Sequence, residues 1–175
     1  MAGFDFKFSL IAQPSKGTRL YTIADSQTFT VGDTSMFTTG YLVPGSASNA
    51  LLGVVEGFVD ANGLPLDNSR KADFDGTYTA TSDTYVSAAD NSTDKQVQAI
   101  VRIDPFAVYS ATPDATIGTT PGSNLPGYFC DIADEDEPDE SDATTATAQL
   151  AIHGVDPEDS SKGLYSINEH AVFNL

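Results

Sequence analysis

Basic residues are scarce in this chain of 175 amino acids: Lys and Arg number 8 against 25 Asp and Glu, a formal charge of −17. A surface of that sign repels phosphate. It excludes nucleic-acid binding through a basic face and docking on an anionic membrane. Cys130 is the single cysteine, which excludes an intrachain disulfide and a multi-cysteine zinc site. Histidine is limited to His153 and His170. No H-E-x-x-H, G-x-S-x-G or phosphate-loop sequence accompanies them. Trp is absent, and apolar runs such as 50–55 are far too short to cross a bilayer. The N-terminus, MAGFDFKF, lacks the basic stretch and apolar run of a signal peptide. The expectation is synthesis in a cytoplasm, where the Asn91-Ser92-Thr93 sequon stays idle.

What is present is Ser and Thr, 35 residues together, with 14 Gly, 9 Pro, 10 Phe and 7 Tyr. These residues favour strands and turns over helix interiors. Phe4, Phe6 and Phe8 alternate with Asp5 and Lys7, a period of two that predicts a strand with an aromatic face. The same period recurs at 19–23 and at 96–103, where Val97, Ala99, Val101 and Ile103 share a face before the stop at Asp104-Pro105. Residues 51–59 read as a buried strand whose glycines, Gly53 and Gly57, mark a bulge or a close backbone approach. Gly32-Asp33 and Asn62-Gly63 are turn signals, the latter the strongest hairpin turn in the chain. Residues 112–126, with three prolines and two glycines, predict a long surface loop. The one short helical candidate is 143–150, weakened by its threonines. Short strands at spacings of roughly ten residues predict an all-β fold, an antiparallel β-sandwich or barrel with long polar loops and little helix. One β-rich domain over 1–175 is expected, with sub-halves 1–67 and 95–175 joined by a polar hairpin or loop, 68–94.

The densest charge lies between Asp131 and Asp142. Clustered carboxylates suit calcium, but the glycine at the sixth position and glutamate at the twelfth of an EF-hand loop are missing. A solvated loop is the expectation. Cys130 sits against this acidic run, which would raise its pKa, so an inert thiol is expected. No constellation for catalysis emerges and no cofactor is expected. The aromatic and apolar ends are the candidate partner contacts: Phe4, Phe6 and Phe8 at the start, Val172, Phe173 and Leu175 at the finish. Chain ends fray unless tied down, so both are expected to be held by the sheet or by another chain.

The stretch from Gly32 to Leu66 reads GDTSMFTTGYLVPGSASNALLGVVEGFVDANGLPL. A "GD" turn, a glycine-led apolar strand, a variable loop and "LGVV-x-G-hydrophobic-D-x-x-G" follow in order. This resembles the head decoration (cement) and auxiliary capsid proteins of tailed bacteriophages. The turns at Asn124 to Tyr128 and at Gly154 to Pro157 are similar in style. The resemblance implies a non-enzymatic virion protein on the outer capsid surface, bound to major capsid protein. It admits a homotrimer of the chain itself, with neither nucleic acid nor membrane as partner. A tail, collar or baseplate component is the alternative within that class. A carbohydrate- or calcium-binding β-module, with 131–142 as its ion site, is the alternative outside it.

Overall fold

A computed structural model describes residues 3–9, 17–47, 49–94, 96–115, 117, 126–144 and 148–168. Fourteen strands and one 3-10 turn account for their regular structure. The protein is all-β, with 49% strand and 4% helix. All strand ladders are antiparallel, and they form three sheets.

The six-stranded sheet runs β1 (Asp5–Ser9), β10 (Ala107–Ala111), β14 (Gly163–Ile167), β13 (Leu150–Val155), β11 (Phe129–Asp134), β12 (Glu137–Thr144). The five-stranded sheet runs β2 (Thr18–Thr22), β9 (Gln98–Arg102), β6 (Gly53–Val59), β4 (Thr34–Thr38), β5 (Tyr41–Pro44). The third is β3 (Thr28–Thr30), β8 (Thr84–Val86), β7 (Thr77–Thr79). The outer strands of the five-stranded sheet curl toward one another. They come together just past β2, where Ile23 forms a parallel bridge with Leu42 and Ala24 N–H donates to the Leu42 carbonyl at 2.9 Å, and no ladder closes the sheet into a barrel.

Alternation along each strand sorts the side chains. In β9, Ala99 and Val101 turn inward and are fully buried, while Gln98, Ile100 and Arg102 face out. Ile23, Phe29, Leu42, Leu52, Val55, Phe58, Phe74 and Tyr85 complete that core between the five- and three-stranded sheets. A second core lies on the six-stranded sheet: Phe4, Tyr109, Cys130, Ile132, Leu150, Ile152 and Tyr165, joined by Leu51 and Val54. Val54 lies on β6, so the five-stranded sheet contributes to both cores.

The glycines of β6 play both expected roles. The register slips between Val55 and Gly57, a bulge. A Cβ at Gly53 would overlap the carbonyl oxygen of Arg102 on the neighbouring strand. Gly32 is left-handed at φ 105° and stacks against Gly3, while its carbonyl accepts from Phe4 N–H at 2.8 Å. The "GD" turn therefore anchors the start of the chain.

The Asn62-Gly63 turn forms, with Gly63 at φ 77°: Asp60 N–H donates to the Leu64 carbonyl and Leu66 N–H to that of Phe58, and the ladder stops at one Val59–Pro65 bridge because Pro65 has no N–H. Two expectations need correction. Of the span 143–150, the described residues hold no helix: β12 runs to Thr144, opposite Phe129, and β13 starts at Leu150, while 145–147 lie outside the described residues. The run 131–142 is not a loop but most of the β11–β12 hairpin, with its turn at Glu135 and Asp136. Alternation explains it, since Ile132, Pro138 and Glu140 turn inward while more exposed acids separate them. The segment 68–94 packs into the molecule through Phe74 and Tyr85, and its β8 pairs with β3.

Candidate functional site

The N-terminal aromatic strand is built into the six-stranded sheet as an edge. Phe4 is in the core, edge-on to Tyr109 and Tyr165 at ring-centre distances of 6.3 and 6.2 Å. Another chain reaches it only if this corner opens. Phe6 is half-buried, with the Arg102 guanidinium 3.9 Å above its ring. Arg102 in turn binds Glu56 at 2.5 Å. Lys7 spans Asp156 and Glu158 at 3.3 and 3.2 Å. Phe8 pairs with Val108 in the ladder. Beside this strand an open groove of about 370 Å³ is lined by Phe4, Phe6, Val54, Glu56 and Tyr109. Val172, Phe173 and Leu175 lie outside the described residues, as does His170.

The chemically active groups are held in structural positions. Cys130 is fully buried, and burial pushes its thiol well up. His153, on the solvent-exposed side of β13, joins its Nε2 to Ser166 Oγ at 2.8 Å, and partial desolvation lowers its pKa. Asn91, the sequon asparagine, is buried and donates to the carbonyls of Ile23 and Val97, which leaves its amide no room for a glycan. Asp60 is buried as well. Desolvation pushes its pKa up, but the N–H groups of Leu64 and Asn62 and the Arg70 guanidinium at 2.9 Å outweigh it and hold it low. Arg70 also lines an open groove of about 510 Å³ with Leu64, Leu66 and Tyr78.

Three carboxyl groups go the other way, and all bear on the acidic hairpin: the buried Asp33 and Glu140, and Glu135 at the tip, raised by its hydrogen bond with Asp134 and by burial. Asp33 is pushed up to about 7, first by burial and then by Glu135, Asp136 and Asp134 at the hairpin tip; an N–H bond from Thr30 opposes this. The tip is fastened beside it, where Thr34 donates its N–H and its hydroxyl to the Glu135 carbonyl at 2.7 and 2.9 Å. Glu140, on β12, is pushed up to about 7 by burial, with Asp114 close by and Tyr165 opposing the rise. Asp114 and Glu140 exchange bonds: each side chain accepts from the other's backbone N–H. Glu140 Oε1 and the Tyr165 hydroxyl are buried without a hydrogen-bond partner. Among the described residues no three His, Cys, Asp or Glu side chains are grouped to hold a metal ion.

What faces solvent is different in kind. Leu20, Phe37, Leu64, Val86, Phe106 and Val155 are large apolar side chains left exposed. Sequence reasoning missed these contacts because alternation alone does not say which face of a strand remains uncovered. Asp33 and Glu140 were also missed, although Glu140 shares the parity of the inward-facing Pro138. The protein matches no family model, no curated protein and no solved structure.

Proposed function

We propose that this is a structural virion protein that decorates and stabilises the outer surface of a bacteriophage capsid by binding major capsid subunits. The observation that supports the reading most is the exposure of six large apolar side chains on a body of formal charge −17. Scattered apolar residues are ordinary, but these stand on or beside strands and turns of an all-β frame. They suit seams between neighbouring subunits, where a standard interface buries about 1,600 Å² in total. The charge suits a shell's exterior better than its DNA-lined interior. The stretch 32–66 that carries the resemblance supplies β4, β5 and β6, with its "GD" turn holding the N-terminal strand.

The test is co-sedimentation of the purified chain with phage heads assembled without it. Saturable binding at a fixed ratio to the major capsid protein is expected, weakened by Phe106→Ser with Leu64→Ser. Binding to tails alone, or none to heads, would overturn the reading. Deleting Met1 to Phe8 is a poor probe, because the deletion removes Phe4 from the core and a whole edge strand.

A further inference from the structure

Edge strands invite pairing with other chains, and proteins blunt them. The edges of this protein are mostly blunted. β1 carries a register slip between Phe6 and Phe8, with Lys7 between them. β12 is overlaid by Asp114, whose carboxylate accepts from the N–H groups of Glu140 and Ser141 and whose own N–H donates to the Pro138 carbonyl. β5 spans four residues and ends on Pro44, while β3 and β7 span three each. β2 is the exception: five residues, with an unbroken register against β9.

The free side of β2 follows from its bonds. Gly17 accepts from Ile103 N–H, and Ile23 N–H donates to Val97, so the odd-numbered residues face β9. The even-numbered ones point their backbone groups the other way. Ala24, next in that series, gives its N–H to Leu42, which closes the far end. Ahead of that closure, Thr18 and Leu20 turn their N–H and C=O groups to an edge with no backbone partner among the described residues.

The side chains on this edge form an interface-like set. Leu20 is 47% exposed, on the outer face beside Ile100. Arg19 and Tyr21 share the other face, where the Tyr21 ring meets Phe37 edge-on at 5.0 Å and Phe37 is itself 39% exposed. Arg, Tyr and Phe are enriched at interface centres. Of the described cations, Lys7, Arg70 and Arg102 are ion-paired, Lys71 bonds the Gly76 carbonyl and covers the Phe74 ring, and Lys162 is half-buried and acts electrostatically on Asp159. Arg19 is exposed and has no ion-pair or hydrogen-bond partner among the described residues, in a chain with 25 acids.

We propose that the open edge of β2 is a strand-addition site for an extended segment of a partner protein. That segment sets a carboxylate against Arg19 and apolar side chains against Leu20 and the Tyr21–Phe37 pair. Main-chain bonds would supply affinity and the alternating side chains specificity. A second copy of this chain is a poor occupant: Thr-Arg-Leu-Tyr-Thr paired with itself offers Arg19 no acid, and it brings together two bodies of charge −17. The inference is independent of the capsid reading.

The probe is a blocked heptapeptide, Ser-Thr-Glu-Val-Val-Thr-Ser, and a twin with Lys in place of Glu. Each is titrated to millimolar levels into the full chain while backbone amide shifts are followed. Shifts confined to β2 and the neighbourhood of Phe37 are expected, with the Glu peptide at least tenfold tighter. Arg19→Glu, at an exposed position, should invert that order. Leu20→Pro, which removes an outward N–H, should abolish binding of both. Equal binding of the two peptides, no inversion, shifts at another edge or no binding overturns the inference. So does sedimentation showing that the wild-type chain self-associates through β2 and that Leu20→Pro abolishes this.

Discussion

Raising the pH from 5 to 8 should destabilise this protein steeply, through two buried carboxyl groups. Asp33 moves from an ordinary 3.8 to about 7 and Glu140 from 4.5 to about 7. The folded state therefore holds both protons more tightly than the unfolded chain. Their contribution is full below the unfolded values, where both states are protonated. It is lost as pH rises toward the folded values, and above them both groups are ionised in either state. Each group contributes a slope of up to about 1.4 kcal/mol per pH unit, so the pair reaches about 2.7. Over the whole window that is on the order of 4 kcal/mol for Asp33 and 3 kcal/mol for Glu140. The opposite arm comes from Asp60, Asp114 and Asp156, whose hydrogen bonds and ion pairs hold them low, so their stabilisation is lost as pH falls below the usual carboxylate range. A maximum between roughly pH 4 and 5 follows. Urea unfolding followed by circular dichroism at half-unit pH steps measures the profile. Asp33→Asn and Glu140→Gln retain an acceptor for the Thr30 and Asp114 N–H groups, and each should remove about half of the slope. General repulsion among the acids has the same sign but survives in both variants. A flat or rising wild-type profile between pH 5 and 7.5 refutes the reasoning. So does an unchanged slope in both variants.

Other outcomes follow from single contacts. Gly53→Ala drives a methyl into the Arg102 carbonyl on the adjacent strand and should cost about 3 kcal/mol or prevent folding, read from soluble yield and urea midpoint. Phe4→Ala empties a core site between Tyr109 and Tyr165 and should cost about 3–5 kcal/mol, whereas Phe106→Ala, at an exposed site, should stay within about 0.5. Cys130 should resist a thiol reagent such as dithionitrobenzoate in the native protein and react fully in urea, since burial and nearby acids keep it protonated. Native-state reaction within seconds contradicts that placement.

The strands were legible wherever apolar and polar residues alternate. Phe4 to Phe8 and 96–103 fall on β1 and β9, and the all-β class follows from them. The glycines of 51–59 were read correctly in kind, because a Gly inside a strand is tolerated only for such reasons. The acidic hairpin was misread because charge density hid its alternation: sheet edges accept acids that a buried central strand would reject. The short helical candidate at 143–150 gave way at its start to β12, which ends on the β-branched Thr144. The partner-contact residues were chosen for apolarity at the chain's start and finish, yet apolarity placed Phe4 in the core. Arg19, Leu20 and Phe37 could not be selected from sequence, since their exposure depends on where the five-stranded sheet fails to close.

The most direct test is a cryo-electron microscopy reconstruction of the virion that contains this chain. The account predicts density for the three-sheet body on the outside of the head, over seams between major capsid subunits. Density confined to the tail, to the inner face of the shell, or absent from the particle contradicts it.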